Sequence, residues 1–73
     1  MNTTQEKLFD KLSIAMLNLI NDGHNELAER LGDVIDMLLN EDYVLALILA
    51  KINNLPKKVI QVIQSTYNIR EVD

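Results

Sequence analysis

The chain has one histidine, His24, and it lies between two acids, Asp22 and Glu26. An imidazole beside carboxylates is the kind of group that binds zinc or acts as a general base. The sequence has no second histidine and no cysteine to complete a metal site. The pattern therefore favours a solvated histidine in a turn, and we expect neither a metal site nor a catalytic histidine.

Three further acids, Glu29, Asp33 and Asp36, recur at helical spacing. Carboxylates do acid–base catalysis when they are buried in a cleft, whereas this spacing is typical of a face that is open to water. The glycines Gly23 and Gly32 are too far apart to form a phosphate-binding loop, and the chain has no nucleophile-elbow, Walker or zinc-protease motif. We therefore predict a protein that is not an enzyme and uses no cofactor.

The length and composition bound the class of protein. A chain of 73 residues with 48% apolar and 25% charged side chains makes one small domain, residues 1–73, of ordinary globular composition. The absence of cysteine favours a reducing compartment, and the N-terminal segment does not have the pattern of a signal peptide. The longest apolar run, residues 43–50, is well short of the roughly 20 residues that span a bilayer. We expect a cytoplasmic protein without a transmembrane segment.

The net charge of −4 is distributed unevenly along the chain. Residues 1–42 contain three basic and nine acidic side chains, whereas residues 43–73 contain four basic and two acidic ones. Most of the surface would repel a polyanion, so we expect no nucleic acid partner. The basic group Lys51, Lys57, Lys58 and Arg70 has two interpretations: solubilising lysines near helix ends, or a contact surface for a protein partner or a membrane-associated complex.

Four segments have the apolar periodicity of helices, predicted over residues 4–21, 24–39, 42–52 and 56–67. The first follows a capping box formed by Thr3 and Glu6, and it ends before Gly23. Its apolar positions are Leu8, Leu12, Ala15, Met16, Leu19 and Ile20. The second has an apolar stripe opposite its acids and an ion pair between Glu26 and Arg30 at i, i+4. The third is apolar on nearly every side, which predicts the most buried element of the fold.

The fourth helix begins near Pro56, because proline suits a first helical turn. Its inner face comprises Val59, Ile60, Val62, Ile63 and Tyr67. β-Branched residues also suit a strand, but the chain offers no partner strand. Short connections predict a compact antiparallel four-helix bundle, all-α, with a frayed tail over residues 68–73. The predicted core is Leu12, Leu19, Leu27, Leu31, Leu38, Leu45, Ile48, Leu49, Val59 and Ile63.

Two apolar residues of the first helix, Phe9 and Leu17, lie off its main stripe. We expect them to form a small exposed apolar patch, which favours self-association or a protein partner. Tyr43 and Tyr67 are either amphipathic residues at the rim of the core or anchors of an interface. One hypothesis is therefore a homodimeric module that uses Phe9, Leu17 and Tyr67.

Two segments of the sequence, residues 23–38 and 43–63, resemble the small immunity proteins of pediocin-like (class IIa) bacteriocin producers. In that family a helix with an I/L-x-x-x-L pattern precedes a helix that begins near a tyrosine. A lysine-isoleucine step, a short break and a basic, apolar last helix follow, matched here by Lys51, Ile52, Leu55, Pro56, Lys57, Lys58, Val59 and Ile60. The resemblance covers roughly residues 8–64, but the link between helices two and three is shorter than usual and the family's long C-terminal tail is nearly missing.

The resemblance implies a cytoplasmic four-helix bundle in a Gram-positive bacterium, acting at the inner face of the membrane. Such proteins protect their producer by engaging the membrane sugar-transporter complex that the pore-forming peptide uses as a receptor. Specificity in the family is associated with the C-terminal half, which implies a partner-binding set of Lys57, Lys58, Gln61, Gln64, Tyr67 and Arg70. The alternative is a small phage- or plasmid-type helical regulator that binds and modulates a host protein through the same helix.

Overall fold

The computed structural model describes residues 3–67, except for the side chain of residue 4. Within that range the fold is all-α, with four helices: α1 (Thr3–Asn21), α2 (Asn25–Leu39), α3 (Tyr43–Ile52) and α4 (Lys57–Tyr67). Every boundary lies within one residue of its predicted position, and the predicted fold class is confirmed. The predicted tail over residues 68–73, and with it Arg70, lies outside the described residues.

The four helices pack as a closed ring. Each helix contacts the next one along the chain, and α4 returns to contact α1. The diagonal pairs do not meet: over residues 3–67, no Cα atom of α1 lies within 8 Å of a Cα atom of α3, and none of α2 lies within 8 Å of one of α4. The bundle measures 31 × 30 × 19 Å, so it is broad in two directions and thin in the third. Each helix therefore has an inner face toward its neighbours and a wide outer face.

The core is a cluster of apolar side chains contributed by all four helices and by the turn before α4. Its buried members are Leu8, Leu12, Leu19, Ala28, Leu31, Val34, Leu38, Ala46, Leu47, Ala50, Leu55, Val59 and Ile63. Of the predicted core residues, Leu27, Ile48 and Leu49 are half-buried, and Leu45 is exposed. The apolar stripes predicted for α2 and α4 both face this core.

Helix α3 has the smallest share of exposed residues among the four helices, as predicted, but one of its sides is open to solvent. Its inner face consists of Ala46, Leu47 and Ala50. On the opposite side Leu45 is 50% exposed and Ile52 is 69% exposed. A helix that is apolar all round has no periodicity to identify the side that faces the core. Leu45 was predicted in the core, whereas the fold buries Leu47 and turns Leu45 outward.

Helix α1 also differs from its predicted pattern at its outer side. Ile20, which was assigned to the apolar stripe, is 48% exposed in the last turn of the helix. Phe9 is half-buried, so the predicted exposed pair of Phe9 and Leu17 is not formed. Leu17 is exposed instead together with Ile14, and each side chain has 59% of its surface open. These two residues lie three positions apart and share one side of α1.

The first three helices end with the same backbone geometry. Gly23, Glu41 and Asn54 adopt left-handed conformations, with φ of 83°, 64° and 55°. The N–H of the following residue then donates to a carbonyl in the last turn: His24 to Leu19 at 2.8 Å, Asp42 to Met37 at 3.0 Å, and Leu55 to Ala50 at 3.1 Å. This is the Schellman pattern of helix termination, which glycine adopts at the lowest cost. The turns therefore set where α2, α3 and α4 begin.

Candidate partner-binding site

His24 lies in the turn between α1 and α2, exposed as predicted. It is the N-cap residue of α2, its carbonyl accepts from the N–H of Ala28 at 3.0 Å, and its side chain makes no capping hydrogen bond. Among the described residues, no group of three or more acidic, histidine or cysteine side chains is arranged to hold a metal ion. The backbone of His24 joins two helices, and we assign no chemistry to its imidazole.

The acidic face of α2 is open to water. Glu29, Asp33 and Asp36 are all exposed. Arg30 and Glu26 form the predicted i, i+4 ion pair, with 3.8 Å between Nη2 and Oε1. Exposed pairs of this kind contribute little to stability because water screens them. Carboxylates that act as general acids or bases are tuned by burial, whereas these three side chains are open to water.

The outer face of α4 brings together most of the predicted partner-binding residues. Lys57, Lys58 and Gln61 are exposed, and Gln64 is half-buried one turn further along. Steps of 100° per residue place these four side chains within about a third of the helix circumference. The buried residues Val59 and Ile63 lie on the opposite side. We call Lys57, Lys58, Gln61 and Gln64 the basic face of α4.

A shallow depression of about 610 Å³ adjoins the basic face of α4 where α3 ends and α4 begins. It is lined by Lys51, Asn54, Leu55, Pro56, Lys57, Ile60 and Gln61. Leu55 is buried and Ile60 half-buried, whereas Lys57 and Gln61 are exposed. The depression thus combines an apolar base with amine and amide groups, and it brings two of the predicted lysines, Lys51 and Lys57, to one place.

The electrostatics of α4 are unusual at its start. Lys57 and Lys58 lie in the first turn, which contains no acidic residue. The N-terminus of a helix has a partial positive charge, so cations are disfavoured there. Within residues 3–67 neither lysine forms an ion pair with an acid. The lysine charges and the helix dipole add, which makes this end of α4 a site of positive potential.

Tyr67 does not belong to the basic face of α4. It packs against the core on the predicted inner face of the helix, apart from the other described members of the predicted partner-binding set. Its ring stacks on the ring of Tyr43, with centroids 3.9 Å apart and planes inclined by 16°. Burial raises the pKa of the Tyr67 phenol above 10.0, and Tyr43 and Glu41 add to the rise. The stack joins the last residue of α4 to the first residue of α3, so these two helices run antiparallel.

A second surface was missed by the sequence analysis. Val44 and Leu45 are 50% exposed on α3, Ile52 is 69% exposed, and Ile48 between them is half-buried. We call these four residues the apolar face of α3. A depression of about 440 Å³ at its start is lined by Glu41, Asp42, Tyr43, Val44, Leu45 and Ile48. The sequence contains one indication of this surface: the apolar run over residues 43–50 has more apolar residues than one buried side of a helix needs.

Over the described part of the chain, none of the helices combines the length and the apolarity that a bilayer span requires. No family model, no curated protein and no solved structure matches the sequence or the fold. Function is therefore inferred from the chain's own surfaces, chiefly the basic face of α4 and the apolar face of α3.

Proposed function

We propose that the chain is a non-catalytic binding protein, and that it acts as an immunity protein against a pediocin-like bacteriocin. The sequence resemblance over residues 8–64 suggests this role, and the basic face of α4 supports it. In this proposal the protein remains in the cytoplasm and contacts the membrane sugar-transporter complex that serves as the bacteriocin receptor. The contact is made at the inner face of the membrane.

The single observation that favours a binding role is the position of Lys57 and Lys58. A cation in the first turn of a helix costs about 0.3–1 kcal/mol relative to a residue that suits the helix dipole. Acids would stabilise α4 at these positions, and the turn contains none. Two exposed lysines that oppose the helix dipole are better explained by a contact with an acidic partner surface than by stability.

The depression beside the lysines suggests the form of that contact. Ile60 and the buried Leu55 offer an apolar surface at its base, and Gln61 offers a carboxamide that both donates and accepts hydrogen bonds. A partner segment with an apolar side chain between acidic residues would fit this arrangement. Charge complementarity of this kind speeds association and selects among partners more than it adds affinity.

The test is protection of living cells. The chain is expressed inside a sensitive Gram-positive indicator strain, and a panel of pediocin-like peptides is titrated against it. We expect a selective rise in the inhibitory concentration of one peptide. The variant Lys57→Glu with Lys58→Glu should lose this protection while its helicity and melting temperature stay near the wild-type values, because both residues are exposed and glutamate suits a first helical turn.

A matched control is available on α1. Lys7 and Lys11 are also exposed, and the variant Lys7→Glu with Lys11→Glu makes the same change of charge away from α4. This control should protect as well as the wild type. Retained protection in the α4 double variant would show that the basic face of α4 is not the contact surface.

Absence of protection against every peptide would contradict the immunity role and favour the alternative, a helical regulator of a host protein. The wild-type chain would then serve as bait for a cytosolic protein, with the Lys57→Glu, Lys58→Glu variant as the negative control. Both proposed functions use the basic face of α4. A protein that binds the wild type but not the Lys57→Glu, Lys58→Glu variant is therefore a specific partner, whichever function is correct.

A further inference from the structure

Helix α3 buries two alanines beside Leu47, whereas its apolar face exposes side chains as large as Leu47. Ala46 and Ala50 are fully buried, while Leu45 on the opposite side is 50% exposed. Burial is more favourable for a larger apolar side chain, because the gain scales with the area removed from water. The arrangement is typical of a helix that is covered on its outer side by another protein surface.

The face is a continuous strip along the helix. Its members lie at positions i, i+1, i+4 and i+8, which places them within about 100° of one another. At a rise of about 1.5 Å per residue, the strip is about 12 Å long from Val44 to Ile52. Ile48 is half-buried in the middle, and the more exposed residues lie at the two ends.

The charges at the two ends of this strip are opposite in sign. Glu41 and Asp42 precede α3 and line the depression at its start. Lys51 and Lys57 line the depression at its other end. A strip with an acidic start and a basic end is complementary to itself after a rotation of 180° about an axis perpendicular to the helix. This is the condition for a twofold symmetric interface, in which both copies use the same patch.

We propose that the apolar face of α3 docks against the same face of a second copy of this chain. The two α3 helices run antiparallel across a twofold axis, so that Asp42 of each copy lies beside Lys57 of the other. The apolar residues exclude water at the centre, and the charges at the ends set the register. A different protein would need a basic group opposite the start of α3 and an acidic group opposite its end. A second copy in the antiparallel orientation supplies both by symmetry.

The dimer is expected to be weak and reversible. A helix of ten residues offers a small contact area compared with that of a stable obligate dimer. Sedimentation analysis of the purified chain at rising concentration should therefore show the mass move from monomer toward dimer. A mass that stays monomeric at every concentration would overturn the proposal.

A point variant locates the contact. Ile52→Glu introduces a charge at the most exposed member of the strip, and the substitution occurs twice in a symmetric dimer. We expect the dissociation constant to rise at least about tenfold, because an unpaired charge would be buried at the contact. Leu17→Glu on α1 is the matched control: its side chain is 59% exposed, and the dimer should form as in the wild type. An equal loss in both variants would contradict the location.

A charge exchange tests the register. Asp42→Lys and Lys57→Glu should each weaken self-association, because each creates like charges across the twofold axis. Mixed in equal amounts, the two variants should form a heterodimer, in which both ends again pair a lysine with an acid. Asp42 makes no side-chain capping bond, so its replacement removes none from α3. Failure of the mixture to associate would overturn the antiparallel register.

Discussion

Helices α3 and α4 are neighbours of nearly equal length, with ten and eleven residues, yet their outer faces differ completely. On the inner side both contribute buried apolar residues to the same core. On the outer side α4 has lysines and glutamines, whereas α3 has valine, leucine and isoleucine. The difference shows that apolarity in this chain serves two purposes: the core needs one side of α3, and the other side is available for contact.

The comparison also separates two kinds of recognition. The basic face of α4 suits a partner that is recognised by charge and hydrogen bonds, so its contacts would weaken as salt screens them. The apolar face of α3 suits a partner that is recognised mainly by burial, with charges at the ends to set direction. Apart from Lys57, which the proposed dimer also uses, substitutions on these two faces should therefore affect different measurements.

The largest expected effect compares the two sides of α3. Leu47 is 1% exposed, and Leu47→Ala should lower the free energy of unfolding by about 2–5 kcal/mol through lost burial and a cavity. Leu45→Ala removes the same atoms from a side chain that is half exposed, and it should cost less than about 1 kcal/mol. Urea unfolding followed by circular dichroism measures both, at a concentration low enough to keep the chain monomeric. Equal losses would mean that α3 is buried on both sides.

A smaller effect compares the turns that precede α3 and α4. Glu41 adopts φ of 64°, a left-handed conformation that costs a residue with a side chain about 1–2 kcal/mol. Glycine relieves this strain, but it also makes the unfolded chain more flexible, which offsets part of the gain. Glu41→Gly should therefore raise the free energy of unfolding by about 0.5–1 kcal/mol. Asn54→Gly should change it by less than about 0.5 kcal/mol, because asparagine tolerates this conformation well. A loss of stability in Glu41→Gly would show that the glutamate side chain stabilises the turn.

The smallest effect concerns the stacked tyrosines that join the two helices. The raised pKa of Tyr67 means that the fold favours its neutral phenol, first because of burial and then because of Tyr43 and Glu41. This contribution to stability is complete below the ordinary pKa of 10.0 and is lost as the pH rises through the raised value. Tyr67→Phe should therefore show a smaller fall in melting temperature than the wild type as the pH rises above 10.0. An identical fall in melting temperature in the variant and the wild type would mean that the titration of Tyr67 does not contribute to the loss of stability.

Local signals in the sequence predict most of the fold. Gly23 and Pro56 mark helix ends by mechanisms that involve only neighbouring residues, so these boundaries could be predicted without the structure. The side of α3 that faces the core was not accessible in this way. That choice depends on how closely α2 and α4 approach, and Ala46 and Ala50 allow a closer approach than leucine would.

The candidate site was predictable to a similar degree. The clustering of Lys57, Lys58 and Gln61 on one side of α4 follows from helical spacing alone. The stacking of Tyr67 on Tyr43 could not be predicted, because it depends on the end of α4 meeting the start of α3. The short turn between α3 and α4 places Lys51 beside Lys57 in one depression.

In the proposed dimer, the apolar face of α3 is in contact with a second copy, whereas Lys58, Gln61 and Gln64 of α4 remain free for another partner. A dilution series followed by amide signals in ¹H–¹⁵N correlation spectra tests this most directly. The signals of Val44, Leu45, Ile48 and Ile52 should shift with concentration, while those of Lys58, Gln61 and Gln64 stay in place. Shifts confined to α4 or to Ile14 and Leu17 of α1, or no shifts at all, would contradict the account.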